Sequence, residues 1–137
     1  MRLQTAKQIA CSACCLAGLA ALHAESVPQS AMARAAVAQQ QGKYREAEGF
    51  YRQAVARVEA VSGPEAAGLI APLSELGRLY LRLGSPARAE ELHRRALRIG
   101  ERTLGPRDAQ VAALLNNLGG ACYYRAKYTE AESLYLR

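Results

Sequence analysis

Gly42-Lys43-Tyr44-Arg45-Glu46-Ala47-Glu48 returns 42 residues later as Gly84-Ser85-Pro86-Ala87-Arg88-Ala89-Glu90, and again as Ala126-Lys127-Tyr128-Thr129-Glu130-Ala131-Glu132. A fixed period in this range marks a stacked array of similar units. The register extends well past these segments: Gly63-Pro64 returns as Gly105-Pro106, Ala54 as Ala96, Glu59 as Glu101, and Leu73-x-x-Leu76-Gly77 as Leu115-x-x-Leu118-Gly119. Ala35, Gly77 and Gly119 share one position of the unit, and Ala47, Ala89 and Ala131 share another. Helices approach closely where neither presents a bulky side chain, so these small residues predict tight helix contacts.

Each unit reads as two helices joined by a short turn. In the second, Leu73, Leu76, Leu79, Tyr80 and Leu83 follow the spacing of an amphipathic helix, and Gly84-Ser85-Pro86 supplies the stop and the turn. The next helix carries Ala89, Leu92, His93, Ala96 and Leu97 on one face and Arg88, Glu91, Arg95 and Arg98 largely on the other, until Gly105-Pro106 ends it. Such a hairpin cannot bury its apolar face alone and must stack on its neighbours.

The run Leu76-Gly77-x-x-Tyr80-x-x-x-Gly84-x-x-x-x-Ala89-Glu90 resembles the tetratricopeptide repeat, as do Leu118-Gly119-x-x-Cys122 and Tyr128-x-x-Ala131-Glu132. The 42-residue spacing, with Leu104-Gly105-Pro106 and Leu115-Asn116-Asn117-Leu118, is similar to the kinesin-light-chain subtype. The resemblance implies an all-α superhelix, a solenoid of about two and a half helix-turn-helix repeats. Its units are expected at 28–69, 70–111 and an incomplete 112–137. Three departures stand out. Ala38 replaces the usual aromatic, Pro86 stands where Tyr44 and Tyr128 sit, and Pro72 lies where a helix should already be running. Proline inside a helix removes a hydrogen bond and clashes with the preceding turn, so either a kink near Pro72 or a helix start at that point is expected.

Residues 1–24 follow a different pattern. Arg2 and Lys7 form a basic head, Ile9 to Leu22 is an apolar run interrupted only by Ser12, and Ala24 precedes the polar Glu25-Ser26. This is the layout of a secretory signal peptide, expected to be cleaved after Ala24, with Ala20 and Ala21 as alternatives. The run is too short for a comfortable membrane span, and no longer one follows, so no stable span is expected after cleavage. Periplasmic or secreted localisation, in a bacterium, is the expectation. Cys11, Cys14 and Cys15 fall inside this segment. Their C-x-x-C-C spacing would suggest metal or redox chemistry in a folded domain, but here they go with the leader. Cys122 alone remains, at the repeat position of Tyr80, and is expected to pack as a small hydrophobe.

The chain of 137 residues has 18 Lys and Arg against 12 Asp and Glu. Two of the cations lie in the leader and all the acids lie after it, leaving a mild positive excess interleaved with glutamates along helices. Nucleic-acid binding calls for a focused basic patch, and no nucleic-acid partner is expected. No metal site or cofactor motif is evident, and the chain reads as non-catalytic. His93 shares an interior position with Tyr51 and Tyr135, which points to packing, and the pairs Glu90-Glu91 and Glu130/Glu132 fit a solvated face or an inter-helix contact.

The expected function is that of a scaffold for a protein or peptide partner, held in the concave groove lined by the first helix of each unit. Carrying the family's groove positions over gives Met32, Ala36, Gln39 and Gln40, then Ser74, Arg78, Leu81 and Arg82, then Asn116, Gly120, Tyr123 and Tyr124. Of these, Gln39, Ser74, Arg78, Arg82, Asn116, Tyr123 and Tyr124 are the candidate contacts, with Arg82 and Asn116 the foremost. Asn116 can donate to and accept from a peptide backbone, the arginines can pair with a carboxylate, and the tyrosines offer flat apolar surface with a polar tip. Only the third unit carries the Asn-Asn pair, so no asparagine ladder runs along the groove. The sequence stops within the second helix of the third unit, with no polar capping helix. Two alternatives therefore stay open: a regulatory or targeting segment of a larger exported enzyme such as a peptidase, or a module that self-associates through the uncapped third unit.

Overall fold

The computed structural model describes residues 30–137, so the expectations for a leader, its cysteines and its cleavage lie outside the described residues. Six α-helices follow in order: α1 (30–40), α2 (Tyr44–Ser62), α3 (Ile70–Arg82), α4 (Pro86–Thr103), α5 (Ala109–Tyr124) and α6 (Tyr128–Leu136). A single 3₁₀ turn, Ala67–Leu69, precedes α3, and no strand occurs among the described residues. Neighbouring helices pack in sequence, α2 on α3, α3 on α4, α4 on α5 and α5 on α6, while α3 also touches α5. The result is three helix hairpins stacked with their first helices on one side.

The turns inside the hairpins show why the sequence repeats. Lys43, Ser85 and Lys127 each donate a backbone N–H to the carbonyl five residues back, at 2.9, 2.8 and 3.0 Å. The residues before them, Gly42, Gly84 and Ala126, donate to the carbonyl three residues back, at 3.1, 3.1 and 2.9 Å. This is the paired hydrogen bonding that satisfies the last carbonyls of a helix and requires a left-handed residue just beyond it. Gly42 and Gly84 adopt φ of 74° and 69°, and Ala126 is held at 59°. A side chain on either glycine would meet nothing within 4 Å, so backbone conformation, not space, selects glycine here.

Pro72 is accommodated without a kink. Helix α3 begins at Ile70, which puts Pro72 in the first turn, where its missing N–H has no intrahelical partner to lose. On the other side of the array, Pro86 opens α4 and Asp108 caps α5 by accepting the Gln110 N–H at 2.7 Å.

Two buried clusters hold the stack together. Leu69, Leu73, Leu97, Ile99, Val111, Leu115 and Leu118 belong to one, and Ala35, Ala47, Tyr51, Leu76, Leu79, Tyr80 and Ala89 to the other. Each fully buried leucine contributes about 2 kcal/mol. The small residues do what the period predicts: a Cβ added at Gly77 would lie 2.6 Å from the His93 ring, and one at Gly119 2.6 Å from the Tyr135 ring. In each case a ring on the second helix of a hairpin lies flat against the first.

Charge joins the units as well. Tyr80 donates to Glu48 at 2.7 Å, linking α3 to α2. One period later Cys122 replaces the tyrosine, and Glu90 instead accepts from Arg125 at 2.6 Å, Lys127 at 2.7 Å and Arg94 at 2.8 Å. Burial alone would raise the pKa of Glu90, but the hydrogen bonds from Lys127, Arg94 and Arg125 outweigh it and hold the carboxyl at about 2. Successive second helices are also bridged at matching positions, Arg95 to Glu59 at 2.6 Å and Arg137 to Glu101 one period on.

Candidate functional site

Between α3 and α5 the first-helix side of the array opens into a cavity of about 400 Å³ lined by Arg78, Leu81, Arg82, Asn116, Asn117, Gly120, Tyr124 and Tyr135. Helical periodicity places the lining. Arg78 and Arg82 are one turn apart on α3, and Asn116, Gly120 and Tyr124 follow the same four-residue step on α5. Gly120 lies between Asn116 and Tyr124, and a Cβ there would come within 3.8 Å of the Tyr135 hydroxyl.

Of the seven candidate contacts, Arg78, Arg82, Asn116 and Tyr124 converge on this cavity, together with the groove positions Leu81 and Gly120, and three do not. Gln39, on α1, is half-buried and accepts a hydrogen bond from the Tyr51 hydroxyl at 3.1 Å, which commits its carbonyl to the array. Ser74 is half-buried, and its Oγ is enclosed without a hydrogen-bond partner. Tyr123 is exposed beside the cavity and packs edge-on against Tyr124, with ring centroids 6.1 Å apart, and against Tyr128 at 5.4 Å.

Asn117 and Tyr135 line the cavity although sequence reasoning did not place them there. Tyr135 shares its repeat position with His93 and Tyr51, which suggested an interior role. Its ring does lie on Gly119, but it stays half exposed and reaches the groove across the glycine. The signal was present in Tyr51, whose hydroxyl passes between helices to Gln39 in the same way.

The two arginines differ. Arg78 pairs with Glu75 one turn back at 3.0 Å, whereas Arg82, which also lines the cavity, forms no ion pair among the described residues. With the two asparagine amides, the site offers fixed donors, fixed acceptors, one uncompensated positive charge and two aromatic walls. That combination suits an extended chain with a carboxylate.

His93, Cys122 and Glu90 are engaged in packing. His93 is fully buried, with neither ring nitrogen hydrogen-bonded. Burial, with a smaller push from the Arg78 charge, lowers its pKa to about 4. Cys122 is fully buried, and burial pushes its thiol pKa up, with the charges of Glu130 and Glu90 adding to it. The ligand-type atoms of Glu90, Cys122 and Glu130 lie within 4.8 Å of one another, but the Glu90 oxygens are already taken by three cations. The arrangement is an ion cluster between units, in which Arg94, Arg125 and Lys127 surround Glu90 and two of them also reach Glu130.

Comparison with known proteins agrees with the fold. The family model described as tetratricopeptide repeat matches residues 26–102 and 71–137. Among solved structures, the crystal structure of BtubC (BKLC) from P. vanneervenii is similar, with a TM-score of 0.75 at 22% identity, covering 81% of this chain. The chain spans 44% of that protein's length. No curated protein matches the sequence significantly.

Proposed function

Since the chain belongs to the tetratricopeptide-repeat family, whose arrays generally mediate protein–protein interaction, we propose that its groove holds an extended segment of a partner protein with an acidic residue placed against Arg82. The observation that carries this reading is the convergence of Arg78, Arg82, Asn116, Asn117 and Tyr124 on one open cavity of about 400 Å³. Asparagine amides that donate and accept can pair with a peptide backbone irrespective of its side chains, while Arg82 selects for charge. The reading is one of binding, not catalysis: the buried imidazole and the buried carboxylate are both committed to holding the array together.

Arg82→Glu tests it. The side chain is exposed and forms no ion pair among the described residues, so the variant should melt with the parent, and a labelled Asp/Glu-rich peptide should bind at least tenfold more weakly. Unchanged affinity in a normally folded variant refutes the groove assignment. We also infer export, on the layout of residues 1–24. No helix among the described residues is long and apolar enough to cross a membrane. Cell fractionation with amino-terminal sequencing of the recovered chain tests this, and a chain retaining Met1 in the cytoplasm refutes it.

A further inference from the structure

One position of the repeat holds Tyr51, His93 and Tyr135 in the three units, and the imidazole is the poor fit to the fold. His93 lies against Gly77 as Tyr135 lies against Gly119. The two tyrosines carry on to the groove side: the Tyr51 hydroxyl donates to Gln39 on α1 at 3.1 Å, and Tyr135 lines the cavity between α3 and α5. His93 does neither. It is fully buried, both ring nitrogens lack a hydrogen bond, and it stops short of the cavity lining. Enclosing polar atoms without partners costs stability, a cost that Tyr51 avoids at the same position. A side chain that breaks the local rule in this way marks a functional position.

What the imidazole leaves is an opening. In the first interval the Tyr51 hydroxyl stands beside Gln39 on one helix and feels three side chains of the next: burial and then the Glu75 charge raise its pKa, while Arg78 and Arg82 act against them. Moved on by one repeat, those four neighbours become Leu81, Asn117, Gly120 and Tyr124, and all four line the cavity between α3 and α5. The cavity thus includes the place of a phenol tip that the second unit lacks. This interval lies inside the array, between consecutive first helices. Arg78 and Arg82 are felt by Tyr51 on one side of α3 and line the cavity on the other. The side chains at positions 51 and 93 therefore decide which side the arginines serve.

We propose that His93 is the positioning residue of the groove: by ending short where the other units carry tyrosine, it opens the interval between α3 and α5 to the partner, while Tyr51 fills the interval between α1 and α3. The proposal rests on the groove reading and fixes where along the array the partner's acidic residue is received.

The test uses the full chain and the labelled Asp/Glu-rich peptide, with binding followed by fluorescence anisotropy and folding by thermal melts. Residue 93 is varied in length. His93→Leu keeps the side chain short and should bind within about threefold of the parent. His93→Phe should bind more weakly than that, and His93→Tyr at least tenfold more weakly than the parent while melting no lower. Loss of binding without loss of stability reports a filled cavity, and a merely structural role would not produce it. If His93→Tyr melts below the parent, the comparison of His93→Phe with His93→Leu carries the test. Affinity that ignores the length of side chain 93, in a chain where Arg82→Glu still weakens binding, overturns the proposal and leaves the groove reading standing. Equal losses in all three variants also overturn it, because they report damaged packing. A parent chain that does not bind the peptide ends both readings.

Discussion

Acidification from pH 7 to pH 5 should weaken the fold through one residue, His93. The imidazole is fully buried against Gly77 with neither nitrogen hydrogen-bonded, and its pKa stands at about 4 in the folded chain against an ordinary 6.5. The lowered value means that the unfolded chain takes up the proton first. No stability is lost above pH 6.5, and loss begins as the pH falls through that value and continues until the folded state also protonates near 4. Linkage gives about 2 kcal/mol lost between pH 7 and pH 5, and about 3 kcal/mol by pH 4. Glu90 does not contaminate this window. Its carboxyl, held at about 2 against an ordinary 4.5, contributes stability that is present above 4.5 and is lost only as the pH falls below it. Urea denaturation at half-unit pH steps measures the slope directly. The control is His93→Tyr, which restores the residue of the other two units over a glycine that already leaves room for a ring. Its stability should be flat from pH 7 to pH 5. A parent protein with no loss across this interval, or a tyrosine variant with the same slope, would refute the assignment.

The other expectations are of the same kind. Gly77→Ala forces a methyl group into the fully buried His93 ring and should cost about 2 kcal/mol. Gly119→Ala should cost less than half as much, since the half-exposed Tyr135 can swing aside; thermal melts of the two variants check the ordering. Ala126→Gly relieves a left-handed backbone that glycine occupies in both other units, and should stabilise the fold by about 1 kcal/mol in urea titrations. Glu90→Gln leaves the Arg94, Arg125 and Lys127 cations facing a neutral amide. Because those three side chains retain contact with water, the loss should be about 2 kcal/mol, below that for a fully enclosed pair. The acid-induced decline below pH 4.5 should shrink in the same variant.

Much of the architecture was legible because close packing writes itself into the sequence. A ring on one helix demands a missing side chain on the next, and the Gly77–His93 and Gly119–Tyr135 pairs therefore recur at a fixed distance. Turn chemistry is equally visible, as Gly42 and Gly84 show, and the alanine at 126 keeps the turn at the cost of strain. The groove was legible in part. Arg78, Arg82, Asn116 and Tyr124 follow helical periodicity and converge, whereas Gln39 was claimed by Tyr51, a partner 12 residues away, and periodicity cannot rank such competition. The Glu90 cluster was hidden for a related reason: its partners Arg125 and Lys127 lie 35 and 37 residues downstream. Which cations reach a glutamate over that separation depends on how one hairpin is rotated against the next, and local pattern does not encode this.

The arginine–glutamate bridges between successive second helices bear on the mechanics of the array. Glu59–Arg95 and Glu101–Arg137 act as struts at one spacing along the side of the stack, so flexing one hairpin against the next stretches or compresses them. Partly exposed charges of this kind weaken as salt shortens the screening length, to about 10 Å at 0.1 M. The two bridges should therefore contribute less to the stiffness of the array as ionic strength rises.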